Sequence, residues 1–293
     1  MKAETLELTS ASNGGKSLYD LRQQVTFFLS DLPLEIIAFH LSAYLQAILG
    51  HGGKRKSETT ITASSFATVL ASGRHITTCN DIEGWHLESL RTATATIIPI
   101  LREQQPTELF ACYQGNREKQ AIHPRLFLSS NNSLDCLDNT LSAGCRLDEL
   151  TAWWKKEEEQ NAPQLSLLRP VVQKAMPAHC YLQVPKKSSQ SDLTLTGRLL
   201  DGVRLNLLNE QCKDRLCIIM DLARRFILAG IGCKHPFEQE GLVLMFGIEP
   251  SFPSLLLSLF PNLQVLATIS RLPQPQDVTF SCMVYDGREL EEK

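Results

Sequence analysis

Nine cysteines and seven histidines carry most of the reactive chemistry open to this chain. Cys136 is the first candidate nucleophile. It lies in the run Asn132-Ser133-Leu134-Asp135-Cys136-Leu137-Asp138-Asn139-Thr140, after an expected strand at Arg125–Ser129 and at the opening of an expected helix. A thiol at a helix start gains from the positive end of the macrodipole, which favours the thiolate. Asp135 and Asp138 act against it, because nearby negative charge raises a thiol pKa. Its base would be His86 or His123. The alternative nucleophile is Cys212, in Gln211-Cys212-Lys213-Asp214-Arg215 near the head of a second expected helix.

Metal binding draws on the same residue types. Cys212, Cys217, Cys233 and His235 are four candidate zinc ligands, and His75, Cys79 and His86 lie close together with Asp81, Glu83 and Glu88. Structural zinc sites usually pair ligands two to four residues apart in a knuckle. Cys212 and Cys217 are five apart on an expected helix, which turns their side chains to different faces. Zinc is therefore a candidate cofactor, and nothing in the chain requires one.

The Asp-Cys-Leu-Asp-x-Thr core at 135–140 resembles the signature loop of Sac-type phosphoinositide phosphatases over about nine residues. In that register Ser133 stands at the nucleophile position and Asn139 at the arginine position, so the loop lacks the family's chemistry. Gln211–Arg215 is similar to part of the phosphate loop of bacterial inositol-phosphate phosphatases. Its Cys-x2-Arg spacing is too short to encircle a phosphate. Two further phosphate motifs fall short. Ser12-Asn13-Gly14-Gly15-Lys16-Ser17 has Ser10 where a P-loop needs its first glycine. The triplets His40-Leu41-Ser42 and His75-Ile76-Thr77 are only 35 residues apart, and His40 sits in a helical pattern.

These residues must be held by recognisable elements. Leu18, Leu21, Val25, Phe28 and Leu29 follow helical spacing, as do Leu34, Ile37, Leu41, Tyr44, Leu45 and Ile48 after Pro33, so an αα-hairpin is expected. The glycines of Gly50–Gly53 force a loop. Thr59–Leu70 reads as strand, 82–101 as a helix capped by Asp81, and Leu109–Tyr113 as a short strand. Leu137–Glu159 reads as a helix in which one of Trp153 and Trp154 is core. Residues 160–170 and 184–192 read as loops.

Leu193–Glu210 and Arg215–Leu228 read as helices, the second apolar on most sides and closing at Gly230. Leu242–Ile248, Phe252–Phe260, Leu263–Ser270 and Val278–Tyr285 read as strand, helix, strand and strand. That order suggests a βαβ unit and a partly parallel sheet.

The expected fold is α/β, with mixed α+β as its variant. A helical N-terminal region packs on a mixed sheet, and a strand–helix–strand–strand unit closes the chain. Residues 1–17 are expected as a flexible leader, 18–185 as a helix-rich α/β region and 193–286 as a C-terminal α/β region, continuous with the preceding one as an alternative.

Composition excludes several classes. The chain has 293 residues, enough for about two domains or one large one. Forty-three per cent of residues are hydrophobic and net charge is −3, unlike a disordered chain. Near-neutral charge argues against nucleic acid as the main partner. No stretch approaches the roughly 20 apolar residues of a membrane span, and no export signal opens the chain. Reduced cysteines in a cytoplasmic setting are expected. The Ser/Thr-rich start also suits a bacterial effector delivered into a host cell. The sequence thus points to protein partners, as a complex subunit, adaptor or effector. The rival is a cysteine-dependent hydrolase or phosphatase-like enzyme acting on phosphorylated or phosphoinositide substrates.

Overall fold

The computed structural model describes residues 2–10, 16–31, 33–38, 41, 61–69, 75–81, 84–85, 109–114, 147–176, 180–183, 194–197, 200–230 and 232–286. Its centre is a five-stranded parallel sheet. The strands are β3 (Val25–Phe28), β7 (Phe110–Gln114), β11 (Gly241–Phe246), β12 (Leu263–Thr268) and β13 (Cys282–Tyr285). Their order is β13-β3-β12-β11-β7, and every neighbouring pair is parallel. Parallel sheets covered on both faces need strands apolar on both sides. Gly241-Leu242-Val243-Leu244-Met245 and Val25-Thr26-Phe27-Phe28 meet that requirement, and all nine residues are buried.

The helices α1 (Leu147–Glu159), α2 (Gln164–Ala175), α3 (Glu210–Ala229) and α4 (Phe252–Leu259) accompany this sheet. Asn209 caps α3 by accepting the Cys212 N–H at 2.7 Å. Gly230 ends it, its N–H donating to the Phe226 carbonyl at 3.0 Å. From Leu216 to Phe226 every residue is buried, and Phe226 stacks on Phe260 at 4.9 Å. Trp154 of α1 is buried while Trp153 is half-buried, as expected for adjacent rings on a helix.

A second sheet is antiparallel, in the order β2-β1-β4-β5-β6. It is built from β1 (Lys2–Ser10), β2 (Lys16–Asp20), β4 (Ile61–Val69), β5 (His75–Asp81) and β6 (Gly84–Trp85). Gln264 of β12 joins the two sheets. Its side chain is buried; Oε1 accepts the Ala3 N–H at 2.6 Å, and Nε2 donates to the Ala3 carbonyl at 2.9 Å and to the Leu21 carbonyl. A third, small sheet runs β10-β9-β8, from β8 (Cys180–Gln183), β9 (Thr194–Gly197) and β10 (Leu200–Arg204).

The α/β class holds, and several elements are corrected. Residues 2–10 and 16–17, expected in a flexible leader, belong to the paired strands β1 and β2. Residues 18–29, expected as helix, contain the end of β2 and all of β3. Val25–Phe28 is buried on both faces, so its apolar residues satisfy helical and strand spacing alike. Residues 84–85, expected at the head of a helix, pair with β5. Residues 164–175, expected in part as a loop, form α2. Leu165, Leu168, Val171 and Val172 make a buried stripe that outweighs Pro170, and Pro163 suits the helix start. The expected helix 193–210 is instead β9, β10 and a 3-10 turn at Leu205–Leu207; Leu195 is buried between the half-buried Thr194 and Thr196. Residues 33–38 are helical, as the Pro33 signal predicts. The expected strand at 125–129 and connector at 184–192 lie outside the described residues.

Candidate binding site at the carboxyl edge of the parallel sheet

In open parallel sheets, ligands bind beyond the carboxyl ends of the strands. At that edge β11 leads through Gly247, Ile248 and Glu249 into α4. Gly247 adopts φ +60°, a left-handed conformation natural for glycine. Its N–H donates to Thr268 Oγ1 at 2.8 Å and the Ile248 N–H donates to the Thr268 carbonyl at 3.1 Å, which ties the turn to β12. The turn and the first turns of α3 enclose a pocket of about 360 Å³. Ile218, Ile248 and Phe252 supply its apolar surface, and Glu210, Asp214, Arg215 and Glu249 supply its charges.

Glu249 organises these charges. It accepts hydrogen bonds from Gln211 Nε2 and Arg215 Nη2, and the Arg215 guanidinium lies 5.6 Å from the centre of the Phe252 ring. Glu210 pairs with Lys213 at 2.6 Å, its side chain 84% exposed. Beyond Glu249, Arg271 Nη1 holds Asp277 Oδ2 at 2.6 Å, and the Gln274 N–H donates to the same carboxylate oxygen at 2.9 Å. The Asp277 hydrogen bond, then the charges of Asp277 and Glu249, raise the Arg271 pKa. This network holds the Pro273–Pro275 turn, and β13 begins at Cys282 rather than at Val278 as expected.

The structure separates the described candidate residues Cys212, Cys217, Cys233 and His235. Cys136, His86 and His123 lie outside the described residues. Cys212 is exposed in the first turn of α3, with its N–H committed to the Asn209 cap, and it does not line the pocket. Cys217 is buried, whereas Cys233 and His235 are exposed beyond the far end of α3. His235 instead faces Glu238 at 3.8 Å. Among the described residues no three His, Cys, Asp or Glu side chains gather where they could hold a metal ion. Lys16 and Ser17 of the glycine-rich run lie in β2, with Lys16 Nζ on Glu7 Oε1 at 2.9 Å, and do not open a helix. Burial pushes the Cys112 thiol up to about 12, and partial burial also raises that of Cys282.

Sequence reading missed the pocket. The available signal was the carboxyl end of the apolar run Leu242–Ile248, where the fold class itself places ligand sites.

Neither a family pattern nor a curated protein matches the chain. Among solved structures, it is similar to a crystal structure of the SmcHead bound to the C-winged helix domain of ScpA. Identity is 12% and the TM-score 0.43, with 99% of this chain and 96% of that chain covered. Among the described residues no helix is long and apolar enough to cross a membrane.

Proposed function

We propose that this chain acts by binding another protein through the carboxyl edge of its parallel sheet. One observation carries the reading: the pocket beside β11 is flanked in the chain by two of the three most exposed large apolar side chains among the described residues. Leu207, 72% exposed, stands two residues before the Asn209 cap of α3. Leu272, 61% exposed, follows the Arg271 that feels the Glu249 charge. Exposed apolar groups with a polar rim are the composition of a protein-docking surface. A complex subunit, adaptor or effector would present such an edge, and the expected cytoplasmic setting suits it.

Site-specific photo-crosslinking tests this in cells that naturally make the chain. A photoreactive residue at position 272 should give a discrete protein adduct. The same residue at position 262, at the amino end of β12, should not. Equal labelling at both positions, or none at 272, removes the reading.

A cysteine-dependent hydrolase remains the second reading, supported by the exposed place of Cys212 in the first turn of a 20-residue helix. It predicts one cysteine, Cys136 or Cys212, that alkylates far faster than the rest near neutral pH and stops doing so in its Ser variant. Uniform slow alkylation sinks it.

A further inference from the structure

Resting on the interaction reading, we infer that the β11-edge pocket receives a basic side chain, arginine or lysine, from the protein partner. The lining charge is the first argument. Among the lining residues Glu210, Asp214 and Glu249 are acidic and Arg215 is basic, a balance of −2, with Lys213 beside the lining as the exposed partner of Glu210. Shape is the second. At about 360 Å³ the pocket is at the small end of ligand sites, suited to one long side chain rather than to a cofactor. Its apolar residues Ile218, Ile248 and Phe252 fit the aliphatic stem of such a side chain, whose charged head then reaches the rim.

The chain's own Arg215 already shows the chemistry. Its guanidinium takes the Glu249 carboxylate and lies over Phe252, the pair of contacts a partner's arginine would use. The pairs at the rim are exchangeable. Glu210 is 84% exposed and Glu249 51%, and ion pairs this exposed are worth little. An incoming cation can therefore share these carboxylates without breaking the fold. The opposite reading, an anion at the start of α3, is weaker. Asn209 already takes the Cys212 N–H, and the carboxylates of Glu210 and Asp214 stand in the way.

The test is an NMR titration of the full chain with two synthetic peptides, Ac-Ala-Leu-Arg-Leu-Ala-NH2 and the same peptide with Glu in place of Arg. The arginine peptide should shift the amide signals of Gly247, Ile248 and Glu249, and the glutamate peptide should not. Glu210→Lys should weaken arginine-peptide binding by about fivefold, the upper end for a solvent-exposed charge pair. Its exposed position leaves folding intact, which an unchanged unfolding midpoint would verify. Equal shifts from both peptides, no shifts in the pocket, or unchanged affinity in Glu210→Lys each overturn the inference. A crosslinked partner at position 272 combined with a silent pocket would sink the basic side chain while leaving the interaction reading standing. Loss of the crosslink would sink the interaction reading itself.

Discussion

Midway along α3, Asp221 is buried with Arg224 and Arg225. Toward the start of the same helix, Arg215 meets Glu249 in half-exposed surroundings. Both groups are carboxylate–guanidinium contacts, yet their settings differ. Asp221 Oδ2 accepts Arg225 Nε at 2.6 Å and the Tyr113 hydroxyl of β7 at 2.7 Å, and Oδ1 lies 3.6 Å from Arg224 Nη2. Burial alone would raise the Asp221 pKa. The charges of Arg225 and Arg224, with the hydrogen bonds from Tyr113 and Arg225, outweigh it and hold the carboxyl below its ordinary range. Removing one member of such a set takes a partner from buried charge. Removing Glu249 leaves its partners in water. The comparison separates charges that lock the helix to the sheet from charges free to exchange partners.

The largest effect should follow Asp221→Asn. It takes the Asp221 carboxylate away from two buried arginines, at a cost of ~3–5 kcal/mol in denaturant unfolding. The pH dependence has the matching sign. Because the folded pKa is depressed, the stabilisation is present above the unfolded value of about 3.9 and is lost as pH falls through the folded value. Wild-type stability should therefore drop below about pH 4, and the Asn variant should lack that part of the drop. A variant as stable as wild type would break the contrast.

Next comes Gln264→Ala, which strips partners from the buried Ala3 backbone N–H and carbonyl. The expected loss is ~1–3 kcal/mol, with faster hydrogen exchange in β1. Gly247→Ala should cost about 1–2 kcal/mol, because alanine must adopt a left-handed φ although nothing crowds its Cβ. Glu249→Gln should cost less than about 1 kcal/mol in thermal or denaturant unfolding. A loss as large as that of Asp221→Asn would place both charge groups in the same structural role.

Legibility in the sequence followed burial. Leu242–Ile248, Phe252–Phe260 and Leu263–Ser270 stand close to β11, α4 and β12, because a doubly covered strand is one apolar run and a short amphipathic helix separates the two. Val25–Phe28 looked helical since a strand buried on both faces has no alternation to show. Leu165, Leu168, Val171 and Val172 were masked by Pro163 and Pro170. The cysteines drew attention through their chemistry; Cys217 is core, as its place on an apolar helix face predicts, and so is Cys112. Nothing local marks Glu249, Arg215 and Ile218 as neighbours. Their meeting depends on α3 crossing the end of β11, a tertiary fact that spacing cannot express.

The central claim is that the carboxyl edge is the working surface of this chain. Its most direct test is the adduct yield from a photoreactive residue at position 272, compared with and without Leu207→Asp. The interaction account predicts a discrete adduct that Leu207→Asp removes while the unfolding midpoint stays unchanged. An adduct yield indifferent to Leu207→Asp would contradict it.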